Sequence, residues 1–279
     1  MKQLSLALLA LLAAVPAHAQ ANLSGVWNNL GILNEDWPDR LPGPELGDYA
    51  GLPVSDAVRA RADAWDASLI TLPEYQCRVH PSDYVSSFAG LRIWEERDPQ
   101  SQQLIAIHTH HFAWGTERTI WMDGRPHPPE WAPHTWQGFS TGTWDGDILT
   151  VYTTHLKQEW IRRNGVPNSE KSTMIEHFIR HGNIMTHLEQ WTDPVYLAEP
   201  YWRSEDFVLN ERPAGNWLWP CEYVDEVANR QQGIVPNYLI GKNPNVKEFI
   251  DRYKLPLDAA MGGAKTMYPE YQKELEKLK

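Results

Sequence analysis

The chain has 279 residues, 42% of them hydrophobic and 22% charged, with 36 acidic against 25 basic side chains, two cysteines and 14 tryptophans. The hydrophobic fraction is too high for a disordered chain, two cysteines are too few for a disulfide scaffold, and no repeat period points to a solenoid. A formal net charge of −11 opposes contact with phosphate backbones and anionic lipid, so nucleic acid is not an expected partner.

Lys2, the apolar run Leu4 to Val15 and the small-x-small site Ala17-His18-Ala19 read as a secretory signal peptide over residues 1–19. That run falls short of the ~20 apolar residues a spanning helix needs, and no later segment qualifies, so no membrane span is expected. Residues 20–279 then form a single β-rich domain with a C-terminal helical flank, periplasmic or secreted. In an oxidising compartment Cys77 and Cys221 most simply form one disulfide; the competing reading is a reactive or metal-binding thiol.

From Asn22 to Leu52 the chain is rich in Gly, Pro, Asn and Asp, with one strand signal at Leu23 to Trp27. Ser55 as N-cap and Val58, Ala62 and Trp65 at helical spacing predict an amphipathic helix over Val54 to Asp66. The period then changes to two. Leu91 to Glu96, Leu104 to Phe112, Arg118 to Met122, Gly138 to Trp144, Ile148 to Thr154, Ser172 to Arg180 and Ile184 to Trp191 each read as strands. Asp145-Gly146 and His181-Gly182-Asn183 mark hairpin turns between adjacent strands. Strands joined this closely predict a mainly β fold, an antiparallel sheet curled into a barrel or stacked as a sandwich. Beyond Trp191 the chain is Pro-rich and aromatic, and Cys221 to Arg230, Val246 to Tyr253 and Pro269 to Leu278 predict short helices. The last, with Lys and Glu throughout, is a solvated surface helix.

Several stretches resemble a widespread family of secreted bacterial proteins, most of them without an assigned function. They are Ser24-Gly25-Val26-Trp27, the run Met122-Asp123-Gly124-Arg125-Pro126-His127-Pro128, the run from Gly142 to Leu149, Glu176 with Arg180, and Asp193-Pro194. The Gly-x-Trp opening also resembles that of lipocalin-like barrels. The resemblance implies an exported β protein and carries no settled chemistry.

Apart from His18, every histidine lies between His80 and His187, in or beside the β region. Strand alternation puts His108 and His110 on one face with Leu104, Ala106 and Phe112, and His111 on the other. His155 continues the face of Leu149, Val151 and Thr153, while His177 sits between Ile175 and Ile179, opposite Glu176 and Arg180. Inward placement of His108, His155 and His177 would let them converge. His108, His155 and His177 are then candidate acid–base groups, with Asp123 or Glu176 to orient them. Arg125 and Arg180 are candidates to bind a carboxylate or steady an oxyanion, and His127 is rigidly presented between prolines. The competing reading of Glu176 and Arg180 is a structural salt bridge, and Asp123-Gly124-Arg125 is first of all a turn.

A His-x-His pair with a third imidazole from a neighbouring strand also suits zinc, copper or iron, which makes His108, His110 and His155 the candidate ligands. The absence of a bound cofactor remains the leading expectation. Gly138-Phe139-Ser140-Thr141-Gly142 has the letters of a serine-hydrolase elbow, but it runs on into a β hairpin where an elbow needs a helix. No dinucleotide or phosphate-loop signature is present.

Trp114, Trp121, Trp131, Trp136, Trp144 and Trp160 cluster around the histidine segments, and a pocket lined by indoles suits a planar aromatic or a sugar face. Trp121 and Trp136 are the candidates for substrate contact. His134-Thr135-Trp136 and Trp160-Ile161-Arg162-Arg163 lie on expected loops and are candidates for the pocket rim. The leading functional expectation is a periplasmic lyase or hydrolase acting on a small aromatic or hydrophobic molecule by histidine and acidic-residue chemistry. A non-catalytic lipocalin-like binder and a His-ligated metalloenzyme are the alternatives.

Overall fold

The computed structural model describes residues 20–30, 45–82, 90–112, 116–162, 164–211 and 221–277. The leader at 1–19, Trp114 and Arg163 lie outside the described residues.

The period-two segments close into a barrel. Its strands are β1 (Gly25–Asn29), β2 (Leu91–Arg97), β3 (Leu104–His111), β4 (Thr116–Trp121), β5 (Phe139–Asp145), β6 (Ile148–Thr154), β9 (Thr173–His181), β10 (Ile184–Thr192) and β11 (Tyr201–Leu209). The short hairpin of β7 (Glu159–Arg162) and β8 (Val166–Asn168) is inserted between β6 and β9. Going round the wall, the order is β1-β11-β10-β9-β6-β5-β4-β3-β2, and β1 closes the ring by pairing with both β11 and β2. Trp27 lies opposite Leu209 on one side and Leu91 on the other. A ring with an odd number of strands cannot alternate direction all the way round, so one parallel pair is required. It is β4 with β5, joined by the long connection 122–138 in place of a tight turn. Every other neighbouring pair is antiparallel, as expected from the turn spacing. The β5–β6 hairpin turns at Asp145-Gly146, where Gly146 takes the positive φ of 58° that the turn demands.

Two expectations are corrected here. Residues 201–209 form a full strand that the Pro-rich, aromatic reading of this region passed over, because its inner face carries Arg203 and Glu205 where apolar residues are sought. Residues 221–230 form no helix. The backbone N–H and C=O of Val224 are both taken by the Gln76 side chain, at 2.8 and 2.9 Å, and Cys221 is tied to Cys77 by the disulfide.

The helices flank the barrel. α1 (Asp56–Asp63) starts after Ser55, as expected, but the Ser55 hydroxyl donates to Val195 O and does not cap the helix. It stops before Trp65, which turns away to meet Trp160. α2 (Pro73–Gln76) precedes the disulfide, and α3 (Glu248–Tyr253), α4 (Leu257–Ala260) and α5 (Pro269–Glu276) complete the C-terminal flank. Among the described residues no helix is long and apolar enough to cross a membrane.

The core divides into layers. Trp27, Ile107, Ile120, Leu149, Val151, Phe178, Met185 and Phe207 fill one end of the barrel. At the other end Met174 and Trp191 join Val58 and Ala62 of α1, and Ile161 and Val166 of the β7–β8 hairpin, in a second apolar cluster. Between the two lies a layer of buried polar side chains. Asp193, from the Asp-Pro pair, ties β10 to the chain that follows β8: its carboxylate accepts from Ser169 Oγ at 2.8 Å and from the backbone N–H groups of Ser169, Val195 and Tyr196.

Candidate functional site

The polar layer is built by alternation on strands whose outer faces are also partly apolar. On β9 Met174, Glu176 and Phe178 point inward, on β10 Met185, His187, Glu189 and Trp191 do so, and on β3 the inner face is Ile107, Thr109 and His111. Arg118 is its hub. Its guanidinium donates to both carboxylate oxygens of Glu176, to Thr153 Oγ1 at 2.6 Å and to Ser140 Oγ at 2.9 Å. His187 Nε2 lies 3.0 Å from Glu176 Oε1, and its Nδ1 is 3.6 Å from Glu189 Oε1. Arg203 pairs with the other oxygen of Glu189, and Asn29 donates to Glu205 at 2.9 Å. Burial pushes the Glu176 carboxyl up, but the charge and hydrogen bonds of Arg118 and His187 outweigh it and hold the group at about 2. Burial, with His187 and Arg118 nearby, pushes His111 down to about 3.

The structure does not form the expected convergence of His108, His155 and His177. His108 is on the outer face of β3, with Nε2 2.8 Å from Glu96 and its ring stacked on Trp94. His177 is on the outer face of β9, bonded to Thr150 Oγ1 at 2.9 Å. His155 follows the end of β6 with a φ of 59°, and that left-handed turn carries its ring away from the Leu149-Val151-Thr153 face. Alternation sorts each strand into two faces correctly, but on β3 and β9 the face expected inside is the outer one, whereas on β6 the face of Leu149, Val151 and Thr153 is inside and only the turn at His155 departs from it. Glu176 and Arg180 form no salt bridge either: Glu176 takes Arg118, and Arg180 donates to the carbonyls of Gly182 and Asn22.

The ligand set of His108, His110 and His155 is likewise not assembled. Among the described residues, Glu176, His187 and Glu189 are the group whose ligand atoms lie within 4.8 Å of one another. Arg118 and Arg203 hold those carboxylates, and two guanidiniums beside the site oppose a divalent cation. Asp123, Arg125 and Trp121 form a surface group, with Asp123 paired to Arg125 and that guanidinium 3.4 Å above the Trp121 ring.

Two expected residues do meet in a cleft of about 540 Å³ on the outside of the barrel, lined by His127, His134, His155, Tyr152, Glu170 and Lys171, among others. A hydrogen-bonded relay crosses it. His155 Nε2 faces Pro129 O, its Nδ1 bonds Thr154 Oγ1, and the same hydroxyl bonds His127 Nδ1, whose Nε2 reaches Thr141 Oγ1. Since a carbonyl only accepts, His155 Nε2 carries the hydrogen, and the remaining donors follow in order along the chain.

The aromatic pocket is formed by residues that the sequence pattern did not assemble. The β7–β8 hairpin sends Ile161 into the apolar cluster and Trp160 the other way, against Trp65 at 4.9 Å and Tyr75 at 6.1 Å between ring centroids. Gly165 makes this approach possible, since it has a φ of 91° and a Cβ there would lie 2.4 Å from Trp65 Cβ. Together with Arg78, Glu159 and the stretch 235–237 these rings line a cleft of about 410 Å³. The Arg78 guanidinium lies 3.9 Å from the Tyr75 ring and 5.0 Å from that of Trp136, and it pairs with Glu159. Glu159 is buried, and desolvation raises its carboxyl to about 7 although Arg78 pulls the other way. Arg78 Nε and Trp65 Nε1 are buried donors without a protein acceptor among the described residues.

A second chamber of about 280 Å³ lies behind Tyr75 and Trp160, lined by His80, Gln76, Cys221 and Glu226. The disulfide and the Gln76 clamp therefore hold the C-terminal stretch as a wall of this region. Trp160 was an expected rim residue and Trp136 an expected contact residue. The sequence pattern places Trp65 on a helix face and carries no signal for Arg78, Glu159 and Tyr75, because each comes from a different short element. No family model, curated protein or solved structure matches the chain.

Proposed function

We propose that this protein is an exported enzyme of the hydrolase or lyase type that takes a small planar aromatic or hydrophobic molecule into the Trp65–Trp160–Tyr75 cleft. Glu159 is its general acid and Arg78 its fixed cation. The observation that carries this reading is a buried carboxyl, raised by desolvation to about 7, in a cleft that Trp65 and Trp160 also line, with a guanidinium paired to it. A general acid works best when its pKa lies near the working pH. Glu159 gives its proton to the leaving oxygen as the bond from that oxygen to the substrate breaks, and Arg78 pairs with the carboxylate that remains once product has left. Export is supported by the leader-like residues 1–19 and by the Cys77–Cys221 disulfide.

The test is a screen of aromatic esters, aryl glycosides and β-elimination substrates, with product detected by chromatography. Glu159→Gln is expected to abolish turnover of any substrate found while ligand still quenches tryptophan fluorescence. Full turnover in that variant would remove Glu159 from the chemistry. Ligands returned unchanged from every incubation would favour the binding-protein reading of the same cleft.

A further inference from the structure

We infer that the ligand of this cleft is a planar ring bearing a carboxylate, which seats on the Arg78 guanidinium and displaces Glu159 from it with the uptake of one proton. This rests on the reading of the cleft given above and names its ligand class.

Three observations lead to it. The first is an excess of donors. Of the Arg78 fork, one terminal nitrogen goes to Glu159 and Nε has no acceptor among the described residues, and the side chain, 21% exposed, lines a cleft shared with Trp65, Trp160 and Tyr75 and with the polar side chains of Gln158 and Asn237. A carboxylate only accepts and carries a full negative charge, so it suits a guanidinium better than a neutral amide, which has one accepting oxygen beside a donating NH2, or an amine. The second is geometry. Arg78 lies 3.9 Å from the Tyr75 ring and 5.4 Å from that of Trp160, so a carboxylate bound to its edge directs an attached ring between aromatic walls.

The third is charge. Arg78 and Glu159 are neutral as a pair, and a second carboxylate among indoles leaves one uncompensated negative charge. The other charged groups lining the cleft are Arg61 of α1 and Asp66 beyond it, which are of opposite sign. His80 faces Trp160 from the second chamber, at 5.6 Å, and Glu222 and Glu226 line the far side of that chamber. None of these adds a net positive charge at Glu159, so balance is restored by a proton on its carboxyl. Because Glu159 titrates at about 7, that proton is available at low cost near neutrality.

The experiment uses the whole protein and a matched pair of probes, 2-naphthoate and 2-naphthamide, in isothermal titration with two buffers of different ionisation heat. At pH 6 the naphthoate is expected to bind at least about tenfold more tightly than the amide, the scale of a charge-assisted pair in place of a neutral one. At pH 8 its binding is expected to take up close to one proton, and its affinity to fall about tenfold per pH unit above 7. In Glu159→Gln the naphthoate is expected to bind with heats independent of buffer and an affinity independent of pH. Equal or tighter binding of the amide, or naphthoate binding at pH 8 without proton uptake, overturns this inference and leaves the cleft reading in place. Failure of both probes to bind at any pH overturns the cleft reading and this inference with it.

Discussion

Glu176 and Glu159 each lie beside an arginine out of solvent, yet the first is held at about 2 and the second is pushed up to about 7. The difference lies in what surrounds each pair. Glu176 receives two bonds from Arg118 and faces a ring nitrogen of His187, while Ser140 and Thr153 satisfy the rest of the guanidinium. Among the described residues the Glu159 carboxylate has Arg78 as its side-chain partner, with no hydroxyl or imidazole beside it to share the load. Desolvation acts on both, and the number of donors aimed at the carboxylate decides which way the balance falls. A pair matched as fully as Arg118 and Glu176 ties β4 to β9; the Arg78–Glu159 pair, with Arg78 Nε left without an acceptor among the described residues, is where a ligand or a proton can enter.

The largest expected effect separates the two regions by covalent means. The disulfide closes a loop across a sequence separation of 144, which in the chain-entropy model contributes about 5 kcal/mol. Cys221→Ser should lower the urea midpoint accordingly, and ligand quenching of tryptophan should disappear at lower urea than the far-ultraviolet signal of the barrel. Coincident loss of both signals would show that the cleft wall and the barrel unfold as one unit.

Next in size is removal of one partner from each pair. Arg118→Met leaves Glu176 buried without its cation and should cost about 3–5 kcal/mol in urea unfolding. Arg78→Met should cost clearly less at pH 6, because Glu159 is then mostly protonated. Equal losses would mean that the two pairs play the same structural role.

The pH dependence sharpens the contrast. His111, with a folded pKa of about 3, contributes stability that is complete above its unfolded value near 6.5 and is lost as pH falls through 3. Glu176 contributes stability that is complete above 4.5 and is lost as pH falls through about 2. Glu159 acts in the opposite sense: its contribution is complete below 4.5 and is lost as pH rises through about 7. Between pH 4.5 and 8 the Glu159→Gln variant should therefore lose less stability than the parent, by up to about 3 kcal/mol. An unchanged slope over that range would place the Glu159 pKa near that of a solvated glutamate.

The smallest effect concerns cleft shape. Gly165→Ala has both a positive φ and a contact with Trp65 to relieve, and should cost roughly 1–3 kcal/mol while shifting tryptophan emission. Native emission together with full ligand binding would mean that Trp65 is not a fixed wall.

Much of the barrel is legible in the residue pattern, since β-branched and aromatic residues at period two, with Gly-containing turns between them, specify β2, β3, β5, β6, β9 and β10 closely. β11 escaped notice because its inner face holds Arg203 and Glu205, which contribute to the buried network and so break the apolar alternation. The β7–β8 hairpin is too short for periodicity to register. Of the candidate site, Trp160 is legible as an aromatic of the pocket rim, although it lies on β7 and not on the expected loop, and Trp136 is outside the cleft lining, 5.0 Å from Arg78; Arg78 and Glu159 lie far apart in the chain and are joined only by packing.

The amino-acid sequence by itself determined most of the barrel strands, the turns at Asp145-Gly146 and His181-Gly182-Asn183, the net negative charge and the choice of Cys77 and Cys221 as the only available disulfide, because these depend on local sterics and composition. Only the tertiary structure decided which face of each strand is inside. Alternation divides a strand into two faces and is silent on which one is enclosed, and here the enclosed face carries a charged layer whose desolvation is offset by partners on other strands. The same holds for the cleft: the Glu159 carboxyl is raised to about 7 by burial that only the packed fold supplies, against the pull of Arg78, and the cleft it lines is shared with Trp65 and Trp160 from other elements.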